Sequence, residues 1–127
     1  MIDFNNASFI KLRKVKGFAD AANIEPLFVT GEEFIAQYTA IRDYVVFTNK
    51  RIISVNVQGL TGKKKDYTSL PYTKIQAFSI ETAGLFDLDS ELELYFSGLG
   101  KVKFEFVDNK GELVEIEKMI AEYVLNK

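Results

Sequence analysis

The 127-residue chain contains no histidine, no cysteine and no tryptophan, and it has only two prolines. Without histidine or cysteine, this chain cannot itself supply a Ser-His-Asp triad, a Cys-His dyad, a thiolate zinc site or an imidazole acid–base group. The lack of cysteine also excludes a disulfide scaffold and fits a reducing compartment. We therefore expect a protein that is not an enzyme and that uses no metal and no cofactor.

Long apolar runs and a strong excess of one charge are missing as well. No stretch of about 18 consecutive apolar residues occurs, and residues 1–6 lack the basic-then-apolar pattern of a signal peptide, so we expect a cytoplasmic protein. Sixteen basic and eighteen acidic residues give a net charge of −2, which argues against a nucleic-acid partner. The length suits one domain with one core.

Apolar residues in the N-terminal part recur at helical spacing. Between residues 8 and 22 they follow one another at intervals of three or four, and they are Phe9, Leu12, Val15, Ala19 and Ala22. A short helix or turn is also predicted around residues 24–28, because Pro26 is tolerated in a first turn. We divide the single domain, residues 1–127, into a helical N-terminal segment (1–30), an antiparallel β core (31–107) and a C-terminal helix (108–127).

From residue 33 onward, β-branched and aromatic residues alternate with short polar turns, which is typical of consecutive antiparallel strands. The predicted strands cover residues 34–41, 44–47, 51–57, 65–70, 74–82, 90–96 and 101–107. Asn49 favours a tight hairpin at residues 48–51. Pro71 lacks an amide hydrogen and should end a strand or place it at an edge. The sequence thus predicts about seven strands.

The last two predicted strands form the clearest hairpin. Apolar and mostly charged residues alternate along both, so one face belongs to the core and the other to solvent. The register that places Glu93 opposite Lys103 avoids the like-charge pair of Glu93 with Glu105 and is preferred.

The C-terminal helix is predicted from its start signal and its apolar stripe. Asn109 is a suitable N-cap, and Glu112 stands three residues later, as in a capping box. The stripe consists of Leu113, Ile116, Ile120, Tyr123 and Val124. Such a helix would cover one open end of a curved sheet or sandwich.

Several segments resemble the bacterial pleckstrin-homology-like domain family. They are RDYVVFTNKR (42–51), QGLTGKK (58–64), PY (71–72), KI (74–75), FSIET (78–82) and FDLDSEL (86–92), so that the resemblance covers residues 24–125. It implies a mainly β pleckstrin-homology fold, a barrel or sandwich of two nearly orthogonal antiparallel sheets with seven strands and a C-terminal capping helix.

The same resemblance limits what can be said of function, because fold alone does not carry function over. Members of the bacterial family tend to form ring-like homo-oligomers and have no established phosphoinositide ligand. The eukaryotic relatives that bind phosphoinositides use spaced lysines and arginines around the first hairpin. This chain offers only Ile41-Arg42-Asp43 there.

Two basic features are candidate binding sites. Lys63, Lys64 and Lys65 stand at a predicted hairpin tip, where they could hold a lipid headgroup or phosphate by point charges; the alternative is a solvated turn. The basic run at residues 11–16 could lie on a membrane surface or a nucleic-acid backbone, or it could be the solvent-exposed side of a packed helix. The packed helix and the solvated turn are the simpler interpretations.

A calcium site is weighed against a plain strand face. Asp87, Asp89 and Glu91 alternate like the first ligands of an EF-hand loop, but Leu92 stands where that loop needs glycine. A solvent-facing row of carboxylates on a strand is the preferred interpretation. Chemistry by a carboxylate pair has no support either, since every acidic residue has a surface explanation.

We therefore expect a non-enzymatic scaffold or protein-interaction module that self-associates, through exposed strand edges or the N-terminal helix, and that binds an unidentified protein partner. The alternative function is a binding module for an anionic ligand, a lipid headgroup or phosphate, at Lys63–Lys65. Contact with a membrane has weaker support.

Overall fold

The computed structural model describes residues 1–82, 89–107 and 112–126, which form eight strands and two α-helices. The strands are β1 (Ala7–Lys14), β2 (Phe34–Thr39), β3 (Tyr44–Thr48), β4 (Arg51–Gln58), β5 (Lys64–Pro71), β6 (Ala77–Glu81), β7 (Ser90–Phe96) and β8 (Gly100–Phe106). Helix α1 is a single turn (Ala21–Ile24), and α2 is the C-terminal helix (Glu112–Leu125). Two short 3-10 turns occupy Glu25–Leu27 and Tyr72–Lys74.

The eight strands belong to one sheet with the order β5-β4-β3-β2-β1-β8-β7-β6. Neighbours run antiparallel, except that β1 and β8 are parallel. The sheet curls around the main core into a half-barrel, and α2 packs against the Tyr72–Lys74 turn, β6 and β7. The predicted mainly β architecture with a C-terminal capping helix is confirmed.

The long N-terminal helix is the principal error of the sequence prediction. Residues 7–14 form strand β1, which lies in the middle of the sheet between β2 and β8. Only the short helical stretch is confirmed, as α1 and the 3-10 turn over residues 21–27. The extra strand raises the count from the seven predicted to eight.

A β-bulge in β1 explains why a strand looked like a helix. Three steps along β1, from Phe9 to Leu12, match only two steps along β8, which is the signature of one inserted residue. Lys11 takes a positive φ of 58°, and Ile10 and Lys11 are both exposed between buried neighbours. Buried residues therefore recur three apart within a strand, as they would on a helix.

The remaining strands lie where the sequence placed them, with small shifts at their ends. The tight hairpin at residues 48–51 is confirmed, and Pro71 is the last residue of β5, an edge strand. The predicted strand 74–82 begins later, at residue 77, because the chain first makes the 3-10 turn.

The preferred register of the last hairpin is confirmed, since Glu93 faces Lys103. The same register places Glu91 opposite Glu105, but each of these carboxylates has a cation beside it. Lys103 Nζ lies 3.6 Å from Glu91, and Lys11 Nζ lies 3.7 Å from Glu105. The bulge in β1 thus supplies the charge that offsets the like-charge pair.

The main core fills the concave side of the sheet and is closed by α2. Its largest fully buried side chains from the sheet and its turns are Leu12, Phe47, Ile52, Leu70, Tyr72, Leu92, Leu94, Phe104 and Phe106. From α2, Leu113, Ile116 and Ile120 are buried as predicted. The predicted Asn109 cap lies outside the described residues.

Candidate interaction surfaces

The tip of the β4–β5 hairpin carries the three lysines singled out from the sequence, but it does not bring them together. Lys63 and Lys64 are exposed at the tip. Lys65 turns to the other side of the strand, where its Nζ lies 4.0 Å from Asp20 and 5.9 Å from the centre of the Tyr44 ring. Alternation along β5 causes this split, because successive side chains of a strand point to opposite faces.

The β2–β3 turn lies directly against this hairpin and stiffens its tip. Arg42 donates a hydrogen bond of 2.5 Å to the carbonyl oxygen of Gly59, and the Asp43 carboxylate accepts one of 2.9 Å from the Val57 amide. Ile41 and Leu60 have exposed fractions of 98% and 107%. Sequence reasoning passed over these two residues, although an apolar residue in each of two polar turns was the available signal.

The outer face of β3 and β4 carries a second apolar cluster, covered by the chain itself. Ile24 from α1 is fully buried on this face. Its buried neighbours in the sheet are Tyr44, Val46, Ile53 and Val55, and Phe18, Phe28, Phe34 and Val57 pack around them. Phe18 stacks on Phe34 with ring centres 4.1 Å apart. We call residues 18–34 the covering segment.

A polar contact ties the covering segment to the sheet at one end. The Tyr44 hydroxyl donates a hydrogen bond to the Asp20 carboxylate, and the same carboxylate faces Lys65. Burial and the Asp20 charge together raise the pKa of Tyr44 well above its usual range, since both disfavour the phenolate. Lys65 is therefore part of the attachment of the covering segment as well as of the hairpin.

A buried ion pair ties the covering segment at its other end. The Glu32 side chain is fully buried, and its two oxygens accept hydrogen bonds from Arg51 Nε (2.9 Å) and Nη2 (3.0 Å). Thr48 and the Val29 amide donate to the same carboxylate, and Arg51 also donates to the Leu27 carbonyl. This bidentate geometry is typical of strong arginine–carboxylate pairs.

The charge state of Glu32 follows from these contacts. Burial acts to raise the pKa of Glu32, but the hydrogen bonds from Arg51, Thr48 and the Val29 amide, with the Arg51 charge, outweigh it, so that the pKa lies below its usual value. The carboxylate is thus held ionised, and the pair acts as a structural clamp.

The outer face of β7 and β8 is exposed to solvent by comparison and carries a network of ion pairs. The ion pairs there are Lys103 with Glu91 and Glu93, Lys101 with Glu93, and Lys11 with Asp89 and Glu105. A shallow groove of about 650 Å³ crosses this face between the β7–β8 hairpin and the N-terminal residues, with Ile10 and Tyr95 in its lining. We call this surface the open face.

The predicted basic run at residues 11–16 does not form one helix side. Lys11, Arg13 and Lys14 lie on β1, and Lys11 points to the open face, where it pairs with Asp89 at 2.8 Å. The cations are therefore spread along a central strand.

The carboxylates weighed as calcium ligands belong to the open face. Asp89 and Glu91 pair with lysines, and Asp87 lies outside the described residues. In the described ranges, no group of three acidic side chains is placed to hold a metal ion. No helix there is both long and apolar enough to cross a bilayer.

The two ends of the sheet are free edges in the described parts of the chain. Strand β5 pairs only with β4, and β6 pairs only with β7. Beyond the strand ladders, residues 65–70 and 77–81 make no backbone–backbone hydrogen bond to another element in these ranges. Side chains of β5 do have contacts with the N-terminus, since Asp66 and Thr68 accept hydrogen bonds from the Met1 ammonium group and the Ile2 amide. Backbone amides and carbonyls along such edges are a ready template for another strand.

Comparisons with known proteins agree with this fold. The family model described as "Bacterial PH domain" matches residues 3–124. The uncharacterized protein YjqA of Bacillus subtilis (strain 168) is 44% identical over 97 residues, which are 75% of this chain and 77% of that protein. The uncharacterized protein YozO of the same strain is 34% identical over 105 residues, 83% of this chain and 90% of that protein.

Solved structures are similar as well. A DUF1696 family protein with a pleckstrin-homology domain from Shewanella loihica PV-4 superposes with a TM-score of 0.76 at 39% identity, covering 91% of this chain and 98% of that one. A pleckstrin homology domain from Shewanella amazonensis SB2B gives a TM-score of 0.60 at 44% identity, covering 81% and 83%. The resemblance drawn from the sequence is confirmed.

Proposed function

The chain belongs to the bacterial PH domain family, and we propose that it is a non-enzymatic scaffold that self-associates and presents its remaining surface to a protein partner. Family membership favours a binding or scaffold role. Self-association is the further step, and the observation that carries it is the pair of free edges, β5 and β6, at the two ends of an unclosed sheet.

The other surfaces fit this role less directly. The N-terminal segment cannot act as a free docking helix, because β1 lies in the centre of the sheet and residues 18–34 cover the outer face of β3 and β4. The charges of the open face are already paired within the chain. Within the described residues, the strand edges are therefore the surface whose unused backbone groups best suit self-association.

Light scattering coupled to size-exclusion chromatography tests self-association. The full chain should be used, because removing the N-terminal residues would delete β1 from the middle of the sheet. We expect the molar mass at micromolar concentration to be a multiple of the chain mass and to fall on dilution. A monomer at every concentration would contradict the proposal.

A second candidate function is the binding of an anionic ligand at Lys63–Lys65. It is favoured by the exposure of Lys63 and Lys64 beside the exposed apolar side chains of Ile41 and Leu60, since basic residues next to apolar tips suit an anionic bilayer surface.

Vesicle sedimentation tests this second function. We expect Lys63→Ala/Lys64→Ala to release the protein from phosphatidylserine vesicles at low salt, while the charge-matched control Lys50→Ala/Lys101→Ala stays bound. Lys65 is left unchanged because it faces Asp20. Equal binding of both variants would count against the site.

A further inference from the structure

We propose that the tip of the β4–β5 hairpin, together with the neighbouring β2–β3 turn, docks on an anionic lipid bilayer. Ile41 and Leu60 enter the lipid, while Lys63 and Lys64 face the headgroups. This rests on the second candidate function, anion binding at the hairpin tip. It goes further in assigning a bilayer as the occupant and two apolar side chains as the anchor.

Ile41 and Leu60 are the two most exposed large hydrophobic residues in the described part of the chain. Neither belongs to the main core or to the apolar cluster on the outer face of β3 and β4. Each stands in a turn, where polar residues and glycine are the usual choice. Their apolar surface contributes nothing to the core of the fold and is available for a contact outside the chain.

The two turns are bonded to each other, which holds the two apolar residues in one place. Arg42, next to Ile41, donates a hydrogen bond of 2.5 Å to the carbonyl oxygen of Gly59, next to Leu60. Gly59 and Gly62 have positive φ values of 79° and 69°, which glycine adopts without steric cost. Leu60 therefore stands on a short, closed loop, and a tip that is already ordered loses little conformational entropy on binding.

Charge identifies an anionic surface as the partner. The tip, residues 41–43 and 58–64, has three basic residues and one acidic residue, so its net charge is +2 in a chain whose net charge is −2. Lys63 and Lys64 are both exposed there. Anionic lipids attract basic residues that come within a screening length of the bilayer surface.

The apolar and the basic residues of the tip have complementary roles. Clusters that bind anionic bilayers by charge alone have about four to eight basic residues, more than this tip has. Two aliphatic side chains without the lysines would not distinguish anionic from neutral lipid. Membrane anchors that join a hydrophobic group to a basic patch combine both contributions, and we expect binding to fall when either part is removed.

The position of the tip also provides controls at the other end of the same strands. Strand β5 leads from the tip to the Tyr72–Lys74 turn, against which α2 packs. The Glu32–Arg51 clamp lies at that far end as well, because Arg51 is the first residue of β4 and the tip follows its last. Val29, beside the clamp, and Val114, on α2, are more than half exposed. They match the aliphatic chemistry of the tip but lie away from it.

Tryptophan fluorescence tests insertion, because the chain has no tryptophan of its own. Leu60→Trp and the control Val114→Trp are each mixed with phosphatidylserine–phosphatidylcholine vesicles whose acyl chains carry bromine as a quencher. We expect the emission of Leu60→Trp to shift to the blue and to be quenched, since the indole leaves water, and that of Val114→Trp to stay as in buffer. Unchanged emission of Leu60→Trp while the protein sediments with the vesicles would overturn the proposal.

Serine substitution tests the anchor without adding an aromatic ring. Ile41→Ser/Leu60→Ser keeps every basic residue of the tip and should lower the vesicle partition coefficient about tenfold, because two aliphatic side chains no longer pass from water into lipid. Val29→Ser/Val114→Ser should bind as wild type does, and circular dichroism checks that both variants are folded. Equal partitioning of the two double variants would overturn the proposal.

The outcomes separate this inference from the second candidate function. If vesicle binding depends on Lys63 and Lys64 while the emission of Leu60→Trp is unchanged, anion binding stands and insertion falls. If the protein ignores the vesicles but inorganic phosphate shifts the amide NMR signals of residues 59–64, a free phosphate is the ligand and insertion again falls. If neither probe binds at low salt, both fall.

Discussion

The outer face of β3 and β4 is covered by the chain itself, whereas the outer face of β7 and β8 is left to solvent. All five residues of β3 are buried, while buried and more exposed residues alternate along β7. A continuous apolar run thus corresponds to a strand covered on both sides, and strict alternation to a strand covered on one.

The two faces also use their charges differently. The covered face has a carboxylate with no exposed side-chain surface, Glu32, held by Arg51 with a side chain only 20% exposed. On the open face, the lysines that pair with Glu91 and Glu93 have side chains 44% and 66% exposed. A buried charge without its partner is costly, whereas an exposed ion pair contributes little to stability. The Glu32–Arg51 clamp should therefore contribute far more to the free energy of unfolding than the ion pairs of the open face.

The largest effect is expected from breaking the clamp. Arg51→Ala would leave Glu32 buried without its cation and should lower the free energy of unfolding by about 3–5 kcal/mol. The matched control is Lys101→Ala, which removes a cation from the open face. Urea denaturation measures both, and similar losses for the two variants would contradict the contrast between the faces.

Two isoleucines give a comparison at constant chemistry. Ile24→Ala should cost about 2–5 kcal/mol, because this fully buried side chain anchors the covering segment. Ile10→Ala, with 60% of the residue exposed at the bulge, should stay within about 0.5 kcal/mol of wild type. A large loss for Ile10→Ala would mean that the open face is covered in solution, for example by another copy.

Acid sensitivity should come partly from Glu32. Its pKa is lowered in the folded protein, so its contribution to stability is present above the unfolded pKa of about 4.3 and is lost as the pH falls through the folded value. Glu32→Gln should therefore flatten the loss of stability below that pH, by about 1.4 kcal/mol for each unit of pKa depression. Chemical denaturation between pH 2 and 7 measures the slope, and a variant as acid-sensitive as wild type would refute this assignment.

The smallest effect is expected on the open face. Lys103→Ala removes a partner of Glu91 and Glu93 and should cost about 0.2–1 kcal/mol at low salt. The difference from wild type should shrink in 1 M NaCl, where the screening length is about 3 Å. A large loss in the free energy of unfolding that does not depend on salt would contradict the view that these ion pairs lie on a solvent-exposed surface.

The sequence predicted most of the fold because most strands keep a simple alternation. It failed at β1, where a single bulge at Ile10 and Lys11 changed the spacing of buried residues from two to three. Among the binding residues, the lysines at 63–65 were found by their charge. Their separation was not foreseen, since it depends on Lys65 meeting Asp20, a residue 45 positions earlier in the chain.

The free edges could be anticipated only in part. Pro71 indicated that β5 lies at an edge, but no local signal identified β6 as the opposite end of the sheet. That position depends on the parallel contact between β1 and β8, which joins the two halves and could not be predicted while residues 7–14 were interpreted as a helix.

Hydrogen exchange at two protein concentrations tests the central claim, self-association through the sheet edges, most directly. We expect the amides of residues 77–81 in β6 to exchange more slowly at high than at low concentration, while the amides of β3, which has a strand on each side, exchange at the same rate in both. Exchange in β6 that does not depend on concentration would contradict the account.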